Sequence, residues 1–222
     1  PWARLQAALA APAQSLRETD TQAVIDTSPW PCLETIKKAA DSAAGIILDL
    51  TYDPFADDPI TSRLSEVIMG NTIACLSLSK VFGLAGMRLG ILAASPELIN
   101  EARELADPFA LDYAQLATCR VLFSTRGDQF RRDVLHEALS LRARVVDQLR
   151  RLLPHARITP PQTNFVSVYV HDLPEGMKEK LVQATACKDY SPIGLLRLTA
   201  NQDTLSGLEA ISQEMAAAES NR

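Results

Sequence analysis

The sequence predicts an α/β protein, with a larger, mainly parallel-sheet domain over residues 1–130 and a smaller α+β domain over residues 131–222. Two observations carry this. Residues 45–50, 72–77 and 88–94 are short apolar runs bounded by glycine or polar residues and separated by helical patterns, as in buried parallel strands alternating with helices. Residues 164–170 instead alternate apolar with polar side chains, as a strand with one wet face does.

The elements follow in chain order. Residues 3–16 are rich in alanine and leucine at helical spacing, and Pro12 ends or kinks that helix. A short apolar strand at 23–25 enters the loop Thr27-Ser28-Pro29-Trp30-Pro31-Cys32, made rigid by its prolines. A helical pattern over 32–42 precedes the first of the three apolar runs. From Ser95 to about Leu153 the pattern is helical, and Arg131, Arg132, Arg142, Arg144, Arg150 and Arg151 are expected on its solvated face. Pro160-Pro161 reads as a turn into the strand at 164–170, and a short strand at 195–199 and a helix from Thr204 to about Ala218 complete the smaller domain.

Composition narrows the partner. Of the 222 residues 47% are hydrophobic, enough for a sizeable core, and no run is long enough to span a bilayer. A formal charge of -5 with a pI near 5.3 argues against nucleic acid or a membrane surface and for a small molecule, because both polyanions require a basic face. Cys32, Cys75, Cys119 and Cys187 lie far apart without C-x-x-C pairs, so they read as buried thiols of a reducing, cytoplasmic compartment. His136, His155 and His171 share no spacing with a companion ligand, and the cluster Asp53-Pro54-Phe55-Ala56-Asp57-Asp58 reads as a solvated turn, so no metal is expected.

The densest chemistry lies in Ser77-Leu78-Ser79-Lys80-Val81-Phe82-Gly83-Leu84-Ala85-Gly86-Met87-Arg88-Leu89-Gly90. A lysine between a strand and a glycine-rich turn, with serine hydroxyls before it and an arginine beyond, suits an anion: hydroxyls and guanidinium for phosphate, the amine for charge or covalency. Upstream, Asp49 and Tyr52 end an apolar run; downstream, Gly194-Leu195-Leu196-Arg197-Leu198-Thr199 carries an arginine on a strand, preceded by Asn164-Phe165.

Together these residues resemble the class I/II pyridoxal-phosphate (PLP) aminotransferases of fold type I, most closely the histidinol-phosphate aminotransferase branch, whose S-x-S-K-x-x-G-x-x-G-x-R-x-G signature the lysine segment matches at every fixed position. The resemblance implies that Lys80 holds pyridoxal 5'-phosphate as a Schiff base and then serves as general base and acid. It assigns the cofactor phosphate to Ser77, Ser79 and Arg88, the pyridine nitrogen to Asp49, the ring hydroxyl oxygen to Tyr52, and the substrate carboxylate to Arg197. It implies a transamination between an amino acid, or a phosphorylated amino compound, and a 2-oxo acid, in a homodimer. Other PLP reactions on the same scaffold (decarboxylase, lyase, cyclising synthase), or a non-catalytic relative acting as a subunit, are the alternatives.

Two departures from the pattern shape the expectation. Trp30 stands where the family has the asparagine of an Asn-Pro-Thr-Gly loop, so either its indole N–H donates a hydrogen bond there or its ring fills or narrows part of the site. The family's first half, with its arm, phosphate loop and ring-stacking aromatic, has no counterpart, so the natural protein is expected to be longer or to draw that half from a second chain.

Overall fold

The computed structural model describes residues 21–24, 34, 36–37, 45–68, 70–107, 109–159 and 163–220. They fall into two compact units, one drawn from Pro1–Pro54 and Asp58–Arg132, the other from Phe55–Asp57 and Asp133–Arg222. The helix expected at 3–16, the loop with Trp30, Cys32 and the Pro160-Pro161 turn lie outside the described residues.

The first unit is built on a four-stranded sheet in the order β1 (Thr21–Val24), β2 (Gly45–Asp49), β3 (Thr72–Ser77), β4 (Gly90–Ala94). β1–β2 and β2–β3 are parallel, so the sheet is mainly parallel and the α/β expectation holds. Apolar side chains cover both faces, as parallel strands require. On one face Ile46, Leu48, Leu50 and Ala74 pack with Ile36, Ile60 and Val67; on the other, Ile73 packs with Leu98 of the helix α1 (Pro96–Leu105).

The third apolar run departs from expectation. β4 is antiparallel to β3, with Ser77 opposite Gly90, and its Ile91 and Leu92 are exposed rather than buried. The link over residues 78–89 holds the short 3-10 helix Ala85–Met87 rather than the α-helix with which a parallel return usually crosses. The long helical pattern from Ser95 is likewise broken into α1, α2 (Tyr113–Leu122) and α3 (Thr125–Leu152). Local chemistry sets these starts. Ser95 accepts a hydrogen bond from Leu98 N ahead of Pro96, and Asp112 with Gln115 forms a capping box.

The second unit carries an antiparallel sheet in the order β5 (Phe165–Tyr169), β7 (Leu195–Thr199), β6 (Cys187–Tyr190). One face of it is core: Val166, Val168, Leu196 and Leu198 are fully buried against Val145 and Leu149 of α3, Met177 and Leu181 of α4 (Met177–Ala184), and Leu205, Leu208 and Ile211 of α5 (Gln202–Ser220). The alternation in β5 and β7 produces this, because side chains one residue apart leave opposite faces.

Two charged features that the sequence placed in solvent are buried. Asp53 is 0% exposed; its carboxylate accepts the N–H groups of Ile60 and Thr61 at 2.8 Å each, satisfying the open start of the 3-10 helix Ile60–Arg63. Asp57 and Asp58 of the same cluster are exposed, and Asp58 pairs with Arg63. Arg142 is only 7% exposed. It donates to the carbonyls of Phe55 and Thr163 at 3.1 Å each and pairs with Asp57. The cysteines differ too: Cys75, Cys119 and Cys187 are half-buried free thiols, and burial, helped by Asp189, pushes Cys187 up to about 11.

The packing of α5 on α4 yields a stability prediction. A Cβ at Gly207 would lie 1.8 Å from the carbonyl oxygen of Ala184. Alanine is favoured over glycine within a helix by about 0.5–1 kcal/mol, but forcing the two backbones apart costs about 1–3 kcal/mol. Gly207→Ala is therefore expected to melt earlier than the parent in a thermal scan; an unchanged or higher Tm would show that the helices separate freely.

Candidate functional site

The carboxyl ends of β2 and β3 and the start of β4 lie at one edge of the first sheet. β2 and β3 are parallel with Asp49 opposite Cys75, so the residues that follow each strand leave at the same edge. Asp49 and Tyr52 follow β2; Ser77, Ser79 and Lys80 follow β3. Because β4 runs back, its start returns to that edge: Leu78 N donates to Leu89 O at 3.2 Å, bringing Arg88 beside the serines. The six residues that the sequence singled out here are thus neighbours, at the edge of an open α/β sheet where such folds take ligands.

Their geometry suits an incoming anion. Lys80 Nζ lies 5.5 Å from the centroid of the Tyr52 ring and has no ion-pair partner among the described residues. Arg88 adopts left-handed backbone angles, φ 51 and ψ 41, uncommon for a residue with a side chain. Its Nη1 donates to Ala85 O at 2.9 Å, and no carboxylate takes its charge among the described residues. Gln115 of α2 donates to Met87 O at 2.9 Å and pins the turn just before Arg88. Ser77 Oγ accepts from Ser79 N at 3.2 Å, leaving its own proton to donate.

Asp49 has two faces. Its Oδ1 accepts from Thr51 N at 2.9 Å and Thr51 Oγ1 at 2.5 Å, while its Oδ2 has no partner among the described residues. The Asp49 charge, after burial, helps to raise the Cys75 thiol beside it. Asp49 and Lys80 are exposed, since nothing among the described residues covers these strand ends. A carboxylate oxygen, an amine, two hydroxyls and an unneutralised guanidinium, all at one edge, equip it to hold a phosphate and to attack a carbonyl through nitrogen.

Arg197 belongs to the other unit. Its guanidinium carbon lies 4.1 Å from the Phe165 ring centroid and 5.1 Å from that of Tyr190, on the sheet face opposite the core. Neither ring was assigned from the sequence: Tyr190 lies on β6, whose short polar run gave no strand pattern. Asn164, left without a role, has a buried Oδ1 with no hydrogen-bond donor among the described residues. Trp30 lies outside the described residues.

Residues 29–203 match the model of the family described as aminotransferase class I and II. Histidinol-phosphate aminotransferase 2 of Archaeoglobus fulgidus is 30% identical over 163 residues, 73% of this chain and 46% of that protein. The chain spans about half the length of the curated relatives it matches. Among solved structures, the histidinol-phosphate aminotransferase of Sinorhizobium meliloti in complex with pyridoxal-5'-phosphate superposes with a TM-score of 0.69 at 18% identity, covering 89% of this chain and 58% of that one. A decarboxylase from Sulfurospirillum multivorans superposes with a TM-score of 0.68 at 19% identity, covering 89% and 56%.

Proposed function

The chain belongs to the class I and II aminotransferase family, and from that premise we propose that it carries the lysine, the anion-binding residues and the carboxylate-binding arginine of a PLP-dependent aminotransferase. The observation that carries this is the common edge at which Lys80, Asp49, Tyr52, Ser77, Ser79 and Arg88 meet, with Lys80 Nζ 5.5 Å from the Tyr52 ring centroid. The donor set fits the cofactor: an amine for its aldehyde, two hydroxyls and a guanidinium with no carboxylate on it among the described residues for its phosphate, and a carboxylate oxygen without a partner among them for its ring nitrogen. PLP, when bound, supplies an electron sink for the carbanion at the substrate α-carbon.

Each residue then has a task. Ser77, Ser79 and Arg88 hold the phosphate through charge-assisted hydrogen bonds. Asp49 Oδ2 would keep the ring nitrogen protonated, and Tyr52 would donate to the ring hydroxyl oxygen. Lys80 Nζ would be the amine that holds the cofactor through its aldehyde carbon and, once freed, the base positioned to move the proton at the substrate α-carbon. Arg197 would take the substrate carboxylate by its planar fork, and Trp30 is read as a substrate-binding residue. Residues 1–130 are read as the C-terminal part of the cofactor-binding domain and 131–222 as the small domain, in a cytoplasmic enzyme.

The test is to supply the purified protein with PLP, a panel of amino acids and a phosphorylated amino compound, and a 2-oxo acid. Equal amounts of new 2-oxo acid and new amino acid are expected. Carbon dioxide release would instead make it a decarboxylase, and PLP binding without turnover would favour a subunit role; the scaffold alone decides none of these.

The reading includes a homodimer. Its support is an apolar surface on the first unit, where Phe109 is 87% and Tyr113 86% exposed beside exposed Leu111, Leu116, Val121 and Phe123. Light scattering is expected to return twice the chain mass, and Phe109→Ser with Tyr113→Ser to lower it to one; a monomeric parent would sink the dimer.

A further inference from the structure

Arg197 is held differently from the other well-fixed arginines of its unit. Arg142 ends on Asp57 and Arg157 on Asp172, each through an ion pair. Arg197 has no carboxylate and no hydrogen-bond acceptor on its guanidinium among the described residues. What surrounds it is aromatic: Phe165 from β5 with its ring centroid at 4.1 Å, and Tyr190 from β6 with its centroid at 5.1 Å, the two strands that flank β7. Register explains the convergence. Arg197 lies opposite Ser167 and Lys188, and Phe165 and Tyr190 are each two residues along from those partners, so all project from the face that Leu196 and Leu198 leave.

We propose that Phe165 and Tyr190 are positioning residues that fix the Arg197 guanidinium through their ring faces while occupying none of its N–H groups. A ring face attracts a cation without accepting a hydrogen bond along the guanidinium edge. An acidic partner would also immobilise the side chain, but an incoming carboxylate would have to displace it. The aromatic arrangement removes the rotamer freedom of a long side chain and leaves the fork open, the condition for tight capture of a planar anion. The carboxylate part of this rests on the reading of Arg197 as the substrate-carboxylate group; the clamp itself rests on the geometry of the sheet.

The experiment is NMR on the 15N-labelled chain, following the Arg197 Nε–H signal, identified by its loss in Arg197→Lys, with succinate as the carboxylate probe. The parent is expected to show a rigid Nε–H, with Phe165→Leu and Tyr190→Leu each making it mobile and weakening succinate binding by about tenfold through lost preorganisation. Phe165→Tyr is expected to retain both properties, and unchanged backbone amide shifts control for folding. Tyr190→Thr, which keeps a strand-favouring residue, is the second variant where leucine disturbs the sheet. A parent Nε–H as mobile as that of the variants, or one that stays rigid in both, overturns the proposal. A rigid parent signal with no succinate response supports the clamp and fails the carboxylate reading. Succinate binding that survives both substitutions with the signal still rigid overturns the clamp and leaves that reading standing.

Discussion

Lys80→Arg is expected to abolish covalent capture of PLP while leaving the fold intact. The parent, incubated with PLP and reduced with borohydride, is expected to carry one stable adduct, mapped by peptide mass to the segment containing Lys80. Arginine keeps the positive charge at the edge where Arg88 also lies, so electrostatic attraction for the phosphate persists. What it removes is the nucleophile: a guanidinium is never deprotonated in a protein and cannot add to an aldehyde. If the protein has transaminase activity, it should fall by at least about 10³-fold, since the same nitrogen also moves the substrate proton. The exposure of Lys80 matters for the control, because an exposed lysine elsewhere can also react with the aldehyde. Lys188, exposed on β6, is that control: Lys188→Arg is expected to leave the yield unchanged. An adduct of undiminished yield in Lys80→Arg, or label spread over several lysines, would remove Lys80 from the proposed role.

Arg142→Met is the substitution expected to cost the second unit most. Methionine fills much of the same volume and cannot donate, so the carbonyls of Phe55 and Thr163, each now 3.1 Å from Nη1, lose their donor. A buried acceptor left without a partner costs about 1–3 kcal/mol. The ion pair adds little by comparison, because Asp57 is 71% exposed and solvent screens it. The total is about 3 kcal/mol, and for a unit of this size the Tm is expected to drop by more than about 10 °C. Two companions separate the causes. Asp57→Ala removes only the screened pair and is expected to cost below about 1 kcal/mol. Arg144→Met, on the exposed side of α3, is expected to stay within about 0.5 kcal/mol of the parent. Equal losses from Asp57→Ala and Arg142→Met would shift the weight from the carbonyls to the charge.

The α/β class, β2, β3, β5 and β7 were legible because a buried or half-buried strand writes its period and its boundaries into five or six consecutive residues. The signature around Lys80 was legible for a related reason: it occupies one unbroken stretch, and its chemistry depends on residue types rather than on distant neighbours. The capped start of α1 belongs to the same class, since Ser95 reaches only to Leu98.

Other features depended on residues far apart. β4 has the apolar run of a buried parallel strand, yet it pairs antiparallel with β3 and leaves Ile91 and Leu92 exposed. Arg142 shares the spacing of its exposed neighbours on α3 and was read as solvated with them. Its partners Phe55 and Asp57 lie 87 and 85 residues away, and no local pattern announces them. Asp53 has its charge hidden by backbone groups seven and eight residues on, where the chain turns back. Phe165 and Tyr190 meet Arg197 only because β5 and β6 pair with β7 in one register. By itself, then, the sequence determined the strand pattern, the family and the stretch around Lys80 that matches the family signature, which are properties of consecutive residues. The tertiary structure decided strand direction, which charges are buried and which rings flank the arginine, because each is set by a pairing across the chain whose energy does not exist until the chain has folded.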